Sequence, residues 1–408
     1  MENRNPDSRF GAFNIKWSVS EASKLFCVET DKGHPDLPVL SASQEHGMVK
    51  RDNIGINMQY SKQNVASYKR VLPGRFVIHL RSFQGGFAHS SIEGITSPAY
   101  TVLKLRDPEK HDDLFWKYLF TSPEFIKRLE LVTYGIRDGR NISVEEFFDL
   151  QFCYPSTKKE QLQIAQFFTQ LDNLIAAEDK KLEKLRNLKN ASLVKMFPNK
   201  GESVPMVRFK GFAGEWVEHT LSDFLTVVAE KNEEGLYNKN DIFSVSNECG
   251  VINQIKYQGK SLAGASLLNY KVTHKDTVIY TKSPLKNQPY GIIKTNKDCS
   301  GIVSALYAVY SVDKKVWPEF IEVYFASDNR LNDYLRPIVN KGAKNTLLVS
   351  DEGALVGKVV FPADKKEQQA IVSFFSRIDS LTTVHEQRVE KLRSMKKAFL
   401  EKMFVTAQ

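Results

Sequence analysis

Between Ile164 and Leu185 the apolar residues recur in steps of four and three: Ile164, Phe168, Leu171, Ile175, Leu182 and Leu185. Lys, Glu and Arg crowd the positions around them. This is the seam of an amphipathic helix, one apolar stripe on a charged rod. The pattern returns as Ile371, Phe375, Ile378, Val389, Leu392 and Phe399. The whole segments match without a gap, Pro155 to Phe197 against Pro362 to Phe404, at a constant offset of 207. A match of this length is an internal duplication, and the chain is read as two similar units. Pro155 and Pro362 precede the two helices, with Ser156 and Asp364 placed to cap them. Roughly forty residues at ~1.5 Å each make a rod of about 60 Å. The rods are expected to cover each other as an antiparallel coiled coil, with Phe168, Leu171, Ile175, Leu182 and Leu185 against Phe375, Ile378, Val389 and Leu392. The alternative is two separate helices, each on its own domain's core. Polar residues on the stripe suggest a register that sets Glu178 against Lys396 and Lys189 against His385.

The duplication extends beyond the rods. Arg9-Phe10, Phe13 and Trp17 recur as Arg208-Phe209, Phe212 and Trp216. Ser43, Glu45 and Gly47 recur as Ser246, Glu248 and Gly250, and Gly94-Ile95, Ser97 and Tyr100 as Gly301-Ile302, Ser304 and Tyr307. Between these anchors the copies differ freely, so they share a scaffold and diverge in what they display. Strands are predicted over residues 76–80, 100–105, 277–280 and 306–312, with short helices over 114–120 and 320–325. The fold class is therefore α+β, with a pseudo-twofold repeat of mixed α/β domains and two long helices. The expected boundaries are 1–155 for the first globular domain, 156–198 for the first helix, 199–362 for the second domain and 363–408 for the second helix. The stretch Pro198 to Pro205 is the hinge that links the first long helix to the second unit.

Composition alters this picture in one respect. With 408 residues, 42% hydrophobic and 26% charged, the chain is an ordinary globular protein. Its net charge of +9 and pI of about 9.1 favour a polyanionic partner. The four cysteines are scattered without a C-x-x-C pair, as in a reducing compartment. The polar start MENRNPDSR lacks the apolar core of a signal peptide, and no apolar run is long enough to span a bilayer. A cytoplasmic location is expected, with no membrane partner.

Catalytic motifs fail on inspection. Asn287-Gln288-Pro289-Tyr290 lacks the second proline of an amino-methyltransferase loop, and Gly259-Lys260-Ser261 lacks the first glycine of a P-loop. The histidines show no metal-ligand spacing, and nothing assembles a nucleophile, a base and an oxyanion site. Two pairs of loops read better as DNA-facing. Arg81, Ser82 and Gln84 follow a strand of the first unit; Lys282, Ser283 and Lys286 follow the matching strand of the second. Arg137 and Arg140 are answered by Lys341 and Lys344. A cation, a hydroxyl and an amide together suit phosphates and base edges.

The residues resemble a known family, the DNA-specificity (S) subunits of type I restriction–modification systems. The resemblance is carried by Arg208 to Trp216 (RFxGFxxxW), Arg81 to Gly86 (RSFQGG), Thr281 to Gly291 (TKSPLKNQPYG) and the duplicated helical run. It covers essentially the whole chain. The opening match is thinner in the first unit, where Ala12 stands for Gly211. The resemblance implies two target-recognition domains, each reading half of a split sequence in double-stranded DNA, and helices acting as spacer and as dock for two modification subunits. It implies no catalysis and no cofactor in this chain: S-adenosylmethionine, ATP and Mg would belong to the modification and restriction (translocase) subunits. The competing class is a coiled-coil adaptor whose globular units bind other proteins.

Overall fold

A computed structural model describes residues 6–11, 13–43, 46–54, 62–79, 86–129, 132–134, 141–261, 264, 266–342 and 347–404. It is a mixed helix and strand structure with two long helices, Lys158–Lys195 and Lys365–Met403. Two compact units divide the chain. The first comprises residues 1–179 and 387–408, and the second residues 180–386. Each therefore takes the start of one long helix and the end of the other. Among the described residues no helix is long and apolar enough to cross a membrane.

The first unit is built on a four-stranded antiparallel sheet in the order Phe26–Glu29, Thr101–Leu105, Arg75–Ile78, Phe87–Ser90. Strand side chains alternate between faces, and here both faces are covered. Phe76 and Ile78 point into the larger core with the helix Asp113–Thr121, while Val77 points into a smaller one with Leu40, Met48 and Val71. The second unit repeats the sheet as Leu225–Val227, Ala308–Val312, Val278–Tyr280, Ile293–Thr295. Val278 and Tyr280 face the larger core with the helix Pro318–Tyr324, and Ile279 the smaller one with Phe243 and Val309.

The duplicated motifs join each globular part to its helix. In the first unit Arg9 grips the buried Glu160 at two points, 2.6 and 2.8 Å; in the second Arg208 grips Glu367 at 2.6 and 2.7 Å. Both carboxylates are only 1% exposed, a burial that a two-point guanidinium contact sustains. The next residue works alongside. Gln161 accepts from the Asp112 N–H and donates to the Pro155 carbonyl, as Gln368 does with Trp317 and Pro362. The Thr157 hydroxyl, not that of Ser156, accepts from the Glu160 N–H at the first helix start, because Ser156 donates to the Lys16 carbonyl. Asp364 caps the second helix as expected.

Each unit also receives the far end of the other long helix. In the first, Phe404 stacks on Phe168 at 5.6 Å and lies tilted against Phe115 at the same separation. In the second, Phe197 lies 6.3 Å from Phe375 and 6.1 Å from Phe320. Ion pairs fix the register of the helix segments, and it differs from the expected one. Lys396 meets Asp172 at 2.5 Å and Arg393 meets Asp179 at 3.0 Å in the first unit. Lys189 meets Asp379 at 2.5 Å and Arg186 meets Glu386 at 2.8 Å in the second. Glu178 lies instead 3.8 Å from Arg388. The reason is reciprocity. Asp172 and Asp379 are repeat-equivalent, as are Lys189 and Lys396, so this register forms the same pair twice. Glu178 has His385 as its equivalent, which cannot return the favour with a carboxylate.

Candidate nucleic-acid interface

In the second unit the strands Val278–Tyr280 and Ile293–Thr295 form a hairpin whose neck is closed by the Thr281 N–H on the Ile292 carbonyl, 3.1 Å. Residues 282–291 make its tip, and several contacts shape them. The Leu285 N–H donates to the Gln288 carbonyl at 2.9 Å, a tight turn. The Gln288 amide donates to the Asp328 carboxylate, and the Asn332 amide to the Asn287 carbonyl at 3.1 Å. Tyr280 reaches from the core to donate its hydroxyl to the Tyr290 carbonyl at 2.6 Å. Gly291 has φ +95°, and a Cβ there would stand 2.8 Å from the Tyr280 ring, so the return of the hairpin requires glycine.

The four described candidate residues divide into two pairs. Lys286 is exposed on the turn, and Lys341 is exposed with its ammonium 5.0 Å from the centre of the Tyr290 ring. One lies on the hairpin turn and the other on the strand Asn340–Lys341, so two separate segments bring cations to one hairpin. Lys282 turns inward, donating to the Asp351 carboxylate and to the Val349 carbonyl at 3.0 Å. Ser283 folds back to donate to the Thr281 carbonyl at 3.3 Å. Arg81, Ser82, Gln84, Arg137, Arg140 and Lys344 lie outside the described residues.

The frame around the first unit's hairpin is described. The His79 N–H donates to the Gly86 carbonyl at 2.9 Å, the counterpart of the Thr281–Ile292 closure. Six residues, 80–85, lie between these ends, against ten, 282–291, in the second unit. The ladders also correct an equivalence. Ile78 pairs with Thr101 and Tyr280 with Ala308, so Lys282 answers Leu80, one position before Arg81. His79 at the neck is buried, which pushes its imidazole below the usual range and favours the neutral form.

Sequence reasoning missed Asp351, which joins Lys282 to Lys271, and Arg330. The Arg330 guanidinium donates to the Leu193 and Tyr324 carbonyls at 2.9 and 2.8 Å and lies over the Phe197 ring. Burial pulls it down to about 10. The Arg9–Glu160 and Arg208–Glu367 clamps were available in the sequence, since both members recur in both copies. Among the described residues no group of three or more His, Cys, Asp or Glu side chains is arranged to hold a metal ion.

These features define a scaffold of two repeated units that present hairpins of different length on a common frame. No family model and no curated protein matches the sequence. Solved structures do match. The type I restriction–modification S subunit from M. genitalium is similar over 99% of this chain and 100% of its own, with a TM-score of 0.60 and 14% identity. A chain from a structure of type I restriction–modification complex assembly and conformational transition is similar over 95% of this chain and 97% of its own, with a TM-score of 0.50 and 14% identity. The chain thus has the fold of type I S subunits along nearly its whole length, as the sequence resemblance implied.

Proposed function

We propose that this chain is the sequence-specific DNA-binding specificity subunit of a type I restriction–modification complex in the cytoplasm. Residues 1–155 and 199–362 act as target-recognition domains, each reading one half of a bipartite target in double-stranded DNA. The helices, residues 156–198 and 363–408, form an antiparallel coiled coil that spaces them. Catalysis belongs to partners: modification subunits methylate adenine with S-adenosylmethionine, and restriction subunits use ATP and Mg. Arg81, Ser82, Gln84, Arg137 and Arg140 serve one half-site; Ser283, Lys286, Lys341 and Lys344 serve the other, with Lys282 supporting their loop. The observation that carries this reading is the S-subunit fold combined with repeated frames whose hairpins differ in length and side chains. Two copies of one scaffold that display different donors and acceptors suit two different short sequences.

The dock for modification subunits is best placed on the helix flank opposite the ion pairs. At about 100° per residue, Leu174 and Leu188 fall there on the first helix, and Leu381 and Met395 at the equivalent positions on the second. All four are exposed, although they are large and apolar. Each unit contributes one residue from each helix to this set, which fits one partner per unit.

The test is methylome sequencing of the host with and without this chain. The expected result is one bipartite adenine-methylated motif that vanishes on deletion. An unchanged methylome would overturn the reading in favour of the adaptor.

A further inference from the structure

Beneath the second unit's hairpin lies an ionic cluster with no role in the fold's repeat. Asp351 follows the strand Leu347–Leu348 by three residues, and its two carboxylate oxygens meet Lys282 and Lys271. The three side chains are 14 to 18% exposed. Burial pushes the Asp351 carboxyl up, but the two ammonium groups outweigh it and hold the group below the usual carboxylate range. The backbone of Asp351 is itself pinned, because Tyr310 donates its hydroxyl to the Asp351 carbonyl at 2.9 Å. Lys282 has φ +49°, a left-handed conformation that a side chain adopts when something holds it. It is the first residue of the hairpin tip, so its backbone angle directs every residue up to Gly291.

The other copy shows what replaces the cluster. At the positions of Lys282 and Asp351 the first unit has Leu80 and Val144. Both members of the ionic pair are changed together, to two apolar residues. Lys69, the counterpart of Lys271 in the strand ladder, donates to the Tyr100 carbonyl at 2.6 Å. The cluster therefore accompanies the longer hairpin and is absent from the sequence of the shorter one.

We propose that Asp351 is a positioning residue for the second half-site: with Lys271 behind it, it anchors Lys282 and thereby sets the path of residues 282–291. The inference rests on the proposed function and adds a specificity determinant that does not touch DNA. Lys282, with its ammonium on Asp351 and Val349, acts on recognition through loop shape. Lys286 is presented by that shape, and Lys341 lies against it at the Tyr290 ring.

The experiment maps methylated sites in the native host, where the full chain works in its own complex, for the wild type, Asp351→Asn, Asp351→Glu and Lys271→Gln. Asp351→Asn keeps the size and removes the charge. It is expected to reduce base discrimination about tenfold in one half-site and leave the other unchanged. Asp351→Glu restores most of the discrimination, and Lys271→Gln relaxes the same half-site less. Unchanged discrimination in Asp351→Asn, or equal relaxation of both half-sites, overturns the proposal. If that variant does not assemble, Lys271→Gln decides on the same two outcomes, because Lys271 lies outside the hairpin. A wild-type host without any bipartite motif would overturn the proposed function itself, which keeps the two failures distinct.

Discussion

The two units fill equivalent cores with different side chains. In the first, Phe26, Phe76, Phe120, Phe125, Phe147 and Phe152 form a continuous aromatic cluster, with Phe120 4.8 Å from Phe125 and 5.1 Å from Phe76. At the positions of Phe76, Phe147 and Phe152 the second unit has Val278, Ala354 and Val359. It regains the volume elsewhere: Tyr280, Tyr310, Tyr324 and Tyr334 stand where the first unit has Ile78, Leu103, Leu119 and Leu129. The rings have moved, and they have acquired hydroxyls. Tyr280 donates to Tyr290, Tyr310 to Asp351 and Tyr334 to Ala354, always onto a backbone carbonyl. One core therefore packs its sheet largely ring against ring, with His89 of the last strand also bonded to Asp113 at 2.6 Å. The other uses its rings as posts that reach through the core to fix the loops above it.

This contrast is most easily broken at Phe120. Phe120→Ala removes a ring that is 2% exposed and touches seven others, and is expected to cost the first unit about 4 kcal/mol. Chemical denaturation followed by hydrogen exchange in each unit would check this; equal loss of protection in both units would count against separate cores. A smaller effect is expected from transplanting the first unit's residue into the second. Phe125 corresponds to Arg330, and Arg330→Phe relieves a buried charge but leaves the Leu193 and Tyr324 carbonyls without their donor. The net loss should be about 2 kcal/mol, read as a lowered denaturation midpoint of the second unit. A stabilised variant would mean that the aromatic solution suits either core. The smallest effect is on pH dependence. The folded pKa of Asp351 lies below its ordinary 3.8, so its ion pairs are complete above that value and are lost as pH falls through the folded pKa. Asp351→Asn should therefore be less stable than the wild type near neutral pH, with the difference shrinking in acid. A difference that stays constant into acid would place the loss elsewhere than in the charge.

The long helices were readable from the sequence because a heptad stripe and a gapless repeat are properties of neighbouring residues. So were the central strands, as short apolar runs. The register of the helices was misjudged by attending to polar residues on the stripe, Glu178 and His385, instead of the charged flanks. Yet the answer was present: Asp172, Asp179, Arg186 and Lys189 each recur at the same offset with the same sign of charge. The anchoring cluster was hidden for a different reason. Asp351 lies 69 residues after Lys282 and 80 after Lys271, and it meets them only because two strands and a loop converge. A lysine that faces DNA and a lysine that faces a buried carboxylate have the same letter.

The reciprocal ion pairs have a consequence for how such a chain can change over generations. Asp172 is matched by Lys396 and Asp379 by Lys189, so each repeat holds the answer to the other's charge. A reversal at one helix position cannot be repaired in its own copy and needs a second change in the opposite half of the gene. The second unit's hairpin carries no such debt, since Lys282 and Asp351 lie in the same half. Recombination that exchanges that globular half for another moves the hairpin together with its anchor. It leaves the charge code of the helices, written once and used twice, unaltered wherever the incoming half keeps Asp, Asp or Glu, Arg and Lys at those four positions.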